Sequence, residues 1–114
     1  MMRIKKARQI LKSLADDTRL RIINLLATEE LNVTELCEIL GVNQSNLSKH
    51  LARLRLTGVV TDRREGLNVY YQLRKPENSD HKELVNAITI GLSELEAFKK
   101  DIEKLNKSKK NCER

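Results

Sequence analysis

The chain has 114 residues, 39% of them hydrophobic, so it is long and apolar enough for one domain with one core and is not wholly disordered. No apolar run approaches the ~20 residues that span a bilayer, the basic N-terminus lacks an apolar signal-peptide core, and two cysteines make no disulfide scaffold. A cytoplasmic protein without membrane contact is expected. Its net charge of +6 is uneven: residues 15–40 carry two basic and six acidic groups, and residues 41–75 carry seven basic and two acidic groups. Such a positive segment can serve a polyanion or be a solvated surface.

In chain order, Ile4, Ala7, Leu11 and Leu14 recur at helical spacing and predict a first helix over residues 3–14. Asp16 is placed to cap a second helix, with Asp17 in its first turn and Leu20, Ile23, Leu26 and Ala27 on its apolar face. Asn32 and Glu35 have capping-box spacing for a third helix over residues 33–40, ended by Gly41. Asn43 opens a fourth helix that reaches about Leu56, with Leu47, Leu51 and Leu54 on one stripe and Gly58 closing it.

Val59 to Thr61 and Val69 to Leu73 suit strands, joined by a polar connection that puts Arg63 and Arg64 at a hairpin tip. Pro76 separates the hairpin from one long helix, expected from Asp80 to about Leu105. Leu84, Ile88, Gly91, Leu95, Phe98, Ile102 and Leu105 form a heptad seam along it. A straight helix of that length, ~39 Å, would outrun its own domain. The seam, with Ile4, Ala7 and Leu11 of the first helix, is therefore expected to build a homodimer. Residues 1–106 are read as one domain that includes this dimerisation seam and 107–114 as a flexible charged tail.

The fold class implied is mainly α with a small β-hairpin (α+β): a winged helix-turn-helix with long N- and C-terminal dimerisation helices. On the fourth helix, Ser45, Asn46, Lys49 and Arg53 face away from the leucine stripe, flanked by Gln44, Ser48 and His50. Gln and Asn can pair with adenine edges, and Ser can donate or accept at bases and phosphates. No acid occurs from Gln44 to Thr61, unlike an ordinary solvated helix face. Arg63 and Arg64 are expected to reach flanking phosphates or the minor groove, the plainer reading being charge that protects an exposed hairpin. No Gly-rich phosphate loop or nucleophile-base pair is present, so neither an enzyme nor a cofactor is expected. A winged-helix interaction or thiol-redox module without sequence-specific readout is the alternative.

These residues closely resemble the ArsR/SmtB family of small winged-helix repressors over roughly residues 8–74. The resemblance rests on Leu14-Ala-Asp-Asp-Thr-Arg-Leu-Arg-Ile22, Glu35-Leu-Cys37, Val42-Asn-Gln-Ser-Asn-Leu-Ser-Lys-His-Leu51, Leu54-Arg-Leu-Thr-Gly58, Arg63-Arg-Glu-Gly66 and Tyr70-Tyr71. Asp17 stands where the family usually has Pro. The resemblance implies a homodimer on inverted-repeat double-stranded operator DNA, released by an effector. It also implies DNA contacts from Gln44, Ser45, Ser48, His50 and the wing.

Family metal sensors carry a Cys-x-Cys pair where Asn32 and Thr34 stand here. A second site type needs His where Lys82 and Ser93 stand. No metal site of either kind is expected, and the effector is unknown. Cys37 falls on a buried helix face with Val33, Leu36 and Leu40, where thiols are usually inert core. Cys112 lies in the charged tail, beside lysines that favour a thiolate. The two thiols could form a reversible disulfide or share a soft ion such as As(III), which makes a thiol switch the specific reading to test.

Overall fold

The computed structural model describes residues 3–74 and 81–112, with side chains throughout these ranges except at 81–82 and 109–112. Its elements are α1 (Ile4–Leu14), α2 (Asp17–Thr28), β1 (Leu31–Asn32), α3 (Val33–Leu40), α4 (Gln44–Leu56), β2 (Val60–Glu65), β3 (Asn68–Leu73), α5 (His81–Gly91) and α6 (Glu96–Cys112). Pro76, Asp80 and the Cys112 thiol lie outside the described residues. Among the described residues no helix is long and apolar enough to cross a membrane.

The helix starts follow their capping residues. Asp16 accepts from the Arg19 amide at 3.1 Å. Asn32 accepts from the Glu35 amide at 2.8 Å, and Glu35 reaches back to the Asn32 amide at 2.9 Å, completing the capping box. Asn43 accepts from the Asn46 amide at 2.8 Å. At the end of α4, the Val59 amide bonds to the Leu54 carbonyl and the Gly58 amide to the Arg55 carbonyl. That pairing is a Schellman closure, and Gly58 supplies its left-handed residue with φ +78°. The chain therefore leaves α4 at a sharp angle and enters the wing directly.

The leucine stripe of α4 is fully buried: Leu47, Leu51 and Leu54 join Ile22, Ile23 and Leu25 of α2 and Leu36 of α3 in the core. On α2 the apolar face differs from the sequence expectation, with Ala27 exposed and Asn24 buried. The sheet has the order β1-β3-β2, all antiparallel. β1 was not foreseen. It pairs Leu31 with Tyr71 and Asn32 with Tyr70. β2 and β3 pair from Val60↔Leu73 to Glu65↔Asn68, so the loop is only Gly66 and Leu67. Gly66 has φ +61°, the positive φ that a two-residue hairpin demands of its first turn position. This corrects the wing: Asp62 to Glu65 belong to the strand, and Arg63 and Arg64 lie on its shaft rather than at its tip.

The C-terminal region departs most from expectation. The single long helix is two helices, of 11 and 17 residues, or ~16 and ~25 Å. α5 ends at Gly91, and the Ser93 hydroxyl donates to the Ile90 carbonyl at 2.8 Å across the break. α6 then packs on α2 and α3 of its own chain. Phe98 and Leu105 are each 2% exposed, so these heptad positions fill the chain's own core instead of a dimer seam. Leu84, Ile88 and Ile102 are half-buried against that core, while Gly91 and Leu95 are exposed at the break. Arg21 donates to both Asp101 carboxylate oxygens at 2.8 Å, and Asn24 donates to the Phe98 carbonyl at 3.3 Å. The helical backbone of α6 continues past residue 106 to Cys112.

Candidate nucleic-acid interface

The outer face of α4 carries the side chains expected of it. Gln44, Ser45, Asn46, Ser48, Lys49 and Arg53 are all exposed, and the helix begins with free amide groups that favour an anion. Among the described residues Lys49 and Arg53 have no ion-pair partner. Arg55, also on α4, is bound to Asp62 of β2 at 3.0 Å. The helix thus offers two uncompensated cations and uses a third to hold the wing.

His50 is placed differently from its neighbours. It is half-buried where α4 crosses the start of α2, with Arg19 Nη1 at 3.3 Å and Asp16 Oδ2 at 3.6 Å from its Nδ1. Burial pushes the Asp16 carboxyl up. Hydrogen bonds from the Arg19 and Thr18 amides and the charges of His50 and Arg19 outweigh that effect, leaving it below the ordinary carboxylate range.

The two wing arginines have separate fates. Arg63 donates to Glu30 and to Glu65, the latter at 2.6 Å, and stacks over Tyr70 at 4.7 Å. Those two carboxylates hold its guanidinium protonated well above the ordinary arginine range. Arg64 has no such partner among the described residues. Side chains alternate along a strand, so Arg64 shares the sheet face of Val60 and Asp62. Asp62 on that face contacts α4, which places Arg64 on the same side as the exposed helix.

Sequence reasoning missed Glu30, Asp62, Asp16 and Arg19 as partners of these groups. Glu30 lies 33 positions from Arg63 and reaches it because β1 pairs with β3 beside Tyr70. No local pattern announces a two-residue strand. Asp62, with Arg55 seven residues before it across the Schellman turn, was the more readable of these pairs.

Cys37 is half-buried against the core; burial, then the neighbouring Glu38, pushes its thiol above the ordinary range. Among the described residues no three His, Cys, Asp or Glu side chains are grouped to hold a metal ion.

A buried-stripe helix with an exposed, acid-free face, followed directly by a β-hairpin, defines a winged helix-turn-helix protein. The family described as bacterial regulatory protein, arsR family, matches residues 16–62. Transcriptional activator HlyU of Vibrio cholerae is 41% identical over 83 residues, covering 73% of this chain and 77% of that protein. Arsenic resistance transcriptional regulator ArsR1 of Pseudomonas putida is 51% identical over 65 residues, 56% of this chain and 51% of its own length, so the match spans about half of that relative. The solved structure of reduced HlyU from Vibrio cholerae superposes with a TM-score of 0.67 at 39% identity, covering 81% of this chain and 90% of that one. The homodimeric winged helix-turn-helix DNA-binding domain Mb0332 of Mycobacterium bovis gives a TM-score of 0.67 at 30% identity, covering 80% and 82%. This chain belongs to the arsR family of bacterial regulatory proteins.

Proposed function

We propose that this protein is a DNA-binding transcriptional regulator that acts as a homodimeric repressor on an inverted-repeat operator, without catalytic activity. The carrying observation is the outer face of α4. Its exposed Gln44, Ser45, Asn46 and Ser48 can read base edges, and Lys49 and Arg53 are free to bind phosphate. Arg64, on the same side of the molecule, extends that surface along the wing. An interaction module would not require such a face to stay free of acids and ion pairs.

Assembly is drawn back to α1 and α5. Ile4 is 86% exposed, Leu11 50% and Ile90 74%, and Ala7 lies on the α1 stripe between the first two. Apolar groups left this open are usual at an interface between copies. Sedimentation at micromolar concentration tests it: a dimer is expected, and a 13.2 kDa species would overturn it.

The test of DNA reading is enrichment of bound duplexes from a random-sequence pool. A two-fold dimer should recover an imperfect inverted repeat, its half-sites one or more helical turns apart. Recovery of no preferred sequence would favour the interaction-module reading. Relatives named for repression and for activation both occur, and reporter expression with and without the protein separates the two signs. Matched relatives include three named for arsenic or arsenical resistance. Here the raised Cys37 thiol argues for little response: affinity of wild type and Cys37→Ser for the selected duplex should change little with arsenite or oxidant. A loss confined to wild type would establish thiol-linked release.

A further inference from the structure

His50 sits between two partners of opposite kind. Arg19 Nη1 and Asp16 Oδ2 both approach its Nδ1, at 3.3 and 3.6 Å. A guanidinium has donors and no acceptor, and it stays protonated in proteins. The Arg19 contact is therefore a hydrogen bond only when Nδ1 offers a lone pair. A neutral imidazole carries one proton, which must then reside on Nε2. If the ring takes a second proton, that proton lands on Nδ1 and the Asp16 carboxylate is there to accept it. In either state Nε2 carries a hydrogen.

We propose that Arg19 and Asp16 are positioning residues that keep Nε2 of His50 a hydrogen-bond donor toward an oxygen acceptor on DNA. The proposal rests on the reading that α4 faces DNA. Both residues are themselves fixed. Arg19 Nε donates to the Ser13 carbonyl at the end of α1, and Asp16 is tied to its own helix by the Arg19 amide at 3.1 Å. The His50 ring is 23% exposed, and among the described residues its Nε2 has no protein partner. A phosphate oxygen, or a base acceptor such as guanine O6 or N7, can complete it. The opposite tautomer would turn a lone pair toward those acceptors and repel them.

The test reads the tautomer directly, by ¹⁵N chemical shifts of the His50 ring in the free protein at about pH 8, where an ordinary imidazole is neutral. A His81→Gln variant assigns the signals. Wild type should show the Nε2–H form. Arg19→Met removes the donor and leaves Asp16 as the nearest partner, so the ring should reverse to Nδ1–H. Affinity for the selected duplex should fall about tenfold, the usual scale for losing one hydrogen bond to a charged group. His50→Gln, whose amide nitrogen can stand at the Nε2 position, should bind within about threefold of wild type, while His50→Asn should bind as poorly as His50→Ala. This last comparison holds even if Arg19→Met fails to fold. A wild-type Nδ1–H ring, or an unchanged tautomer in folded Arg19→Met, would overturn the positioning role. Wild-type affinity in His50→Ala, with the tautomer as expected, would instead overturn the DNA contact.

Discussion

Arginine meets carboxylate in two regions of this chain, with opposite consequences. In the seam between α2 and α6, Arg21 grips an Asp101 that is 1% exposed through two parallel bonds of 2.8 Å. On the wing, Arg63 grips Glu30 and Glu65 at the surface. Burial makes the first pair a fixture of the fold, because a stranded partner would keep its desolvation penalty. The second pair is screened by water and salt and holds little stability. Its effect is on charge: it withdraws one cation from any approaching polyanion. The +6 of the sequence already counts those carboxylates, so the pairing changes which basic groups stay free for an approaching polyanion and leaves the net charge as it was.

The contrast can be broken or sharpened by substitution. The largest effect is expected for Asp101→Ala, which leaves Arg21 half-buried without its partner and should cost about 2–3 kcal/mol in urea denaturation. A loss below ~1 kcal/mol would mean that the seam pair is no more structural than the wing pair. Next comes Arg64→Ala, which should weaken binding to every duplex and reduce the salt slope by about one unit.

Asp16, about a third exposed, stands between the two extremes. Its folded carboxyl is held below the ordinary range, so its contribution is complete above the unfolded value, about pH 4, and is lost as pH falls through the lowered folded value. Asp16→Asn should keep the helix cap and abolish that share of acid sensitivity, whereas Asp16→Ala should cost about 1 kcal/mol at neutral pH. The smallest change is expected for Arg63→Ala, which should leave the salt slope near wild type. Glu30→Gln, by partly freeing Arg63, should steepen it. Equal slopes for Arg63→Ala and Arg64→Ala would erase the distinction between the two wing arginines.

Legibility followed the range of the determining interactions. Asp16, Asn32 with Glu35, and Asn43 declare α2, α3 and α4 within three residues of themselves, and the leucine stripe of α4 declares its buried face. The outer face of α4 was readable for the same reason. β1 is two residues long and exists only through its pairing with β3, so it carried no periodic signal. The break between α5 and α6 was masked because the spacing of Leu84, Ile88, Gly91, Leu95 and Phe98 runs through it unchanged. Gly91, read as one position of the heptad seam, marks the end of α5, and nothing lies within 4 Å of where its Cβ would stand. The neutralisation of Arg63 depends on β1 and was hidden with it.

The strand order β1-β3-β2 leaves β2 as an open edge of the sheet. Its outer row of backbone donors and acceptors is a template onto which another extended chain could add. Asp62, Arg63, Arg64 and Glu65 occupy consecutive positions of that edge, so a second copy laid antiparallel against it with Arg63 opposite Arg64 brings like charges together, Asp62 facing Glu65 as well. The wing is thus guarded against that mode of self-association by a row of charges that includes Arg64, the wing residue proposed to meet DNA. Replacing both arginines at once removes that protection together with the contact. Such a variant should show turbidity or large particles at high concentration, and light scattering must accompany its binding curve if lost affinity is to be told apart from lost solubility.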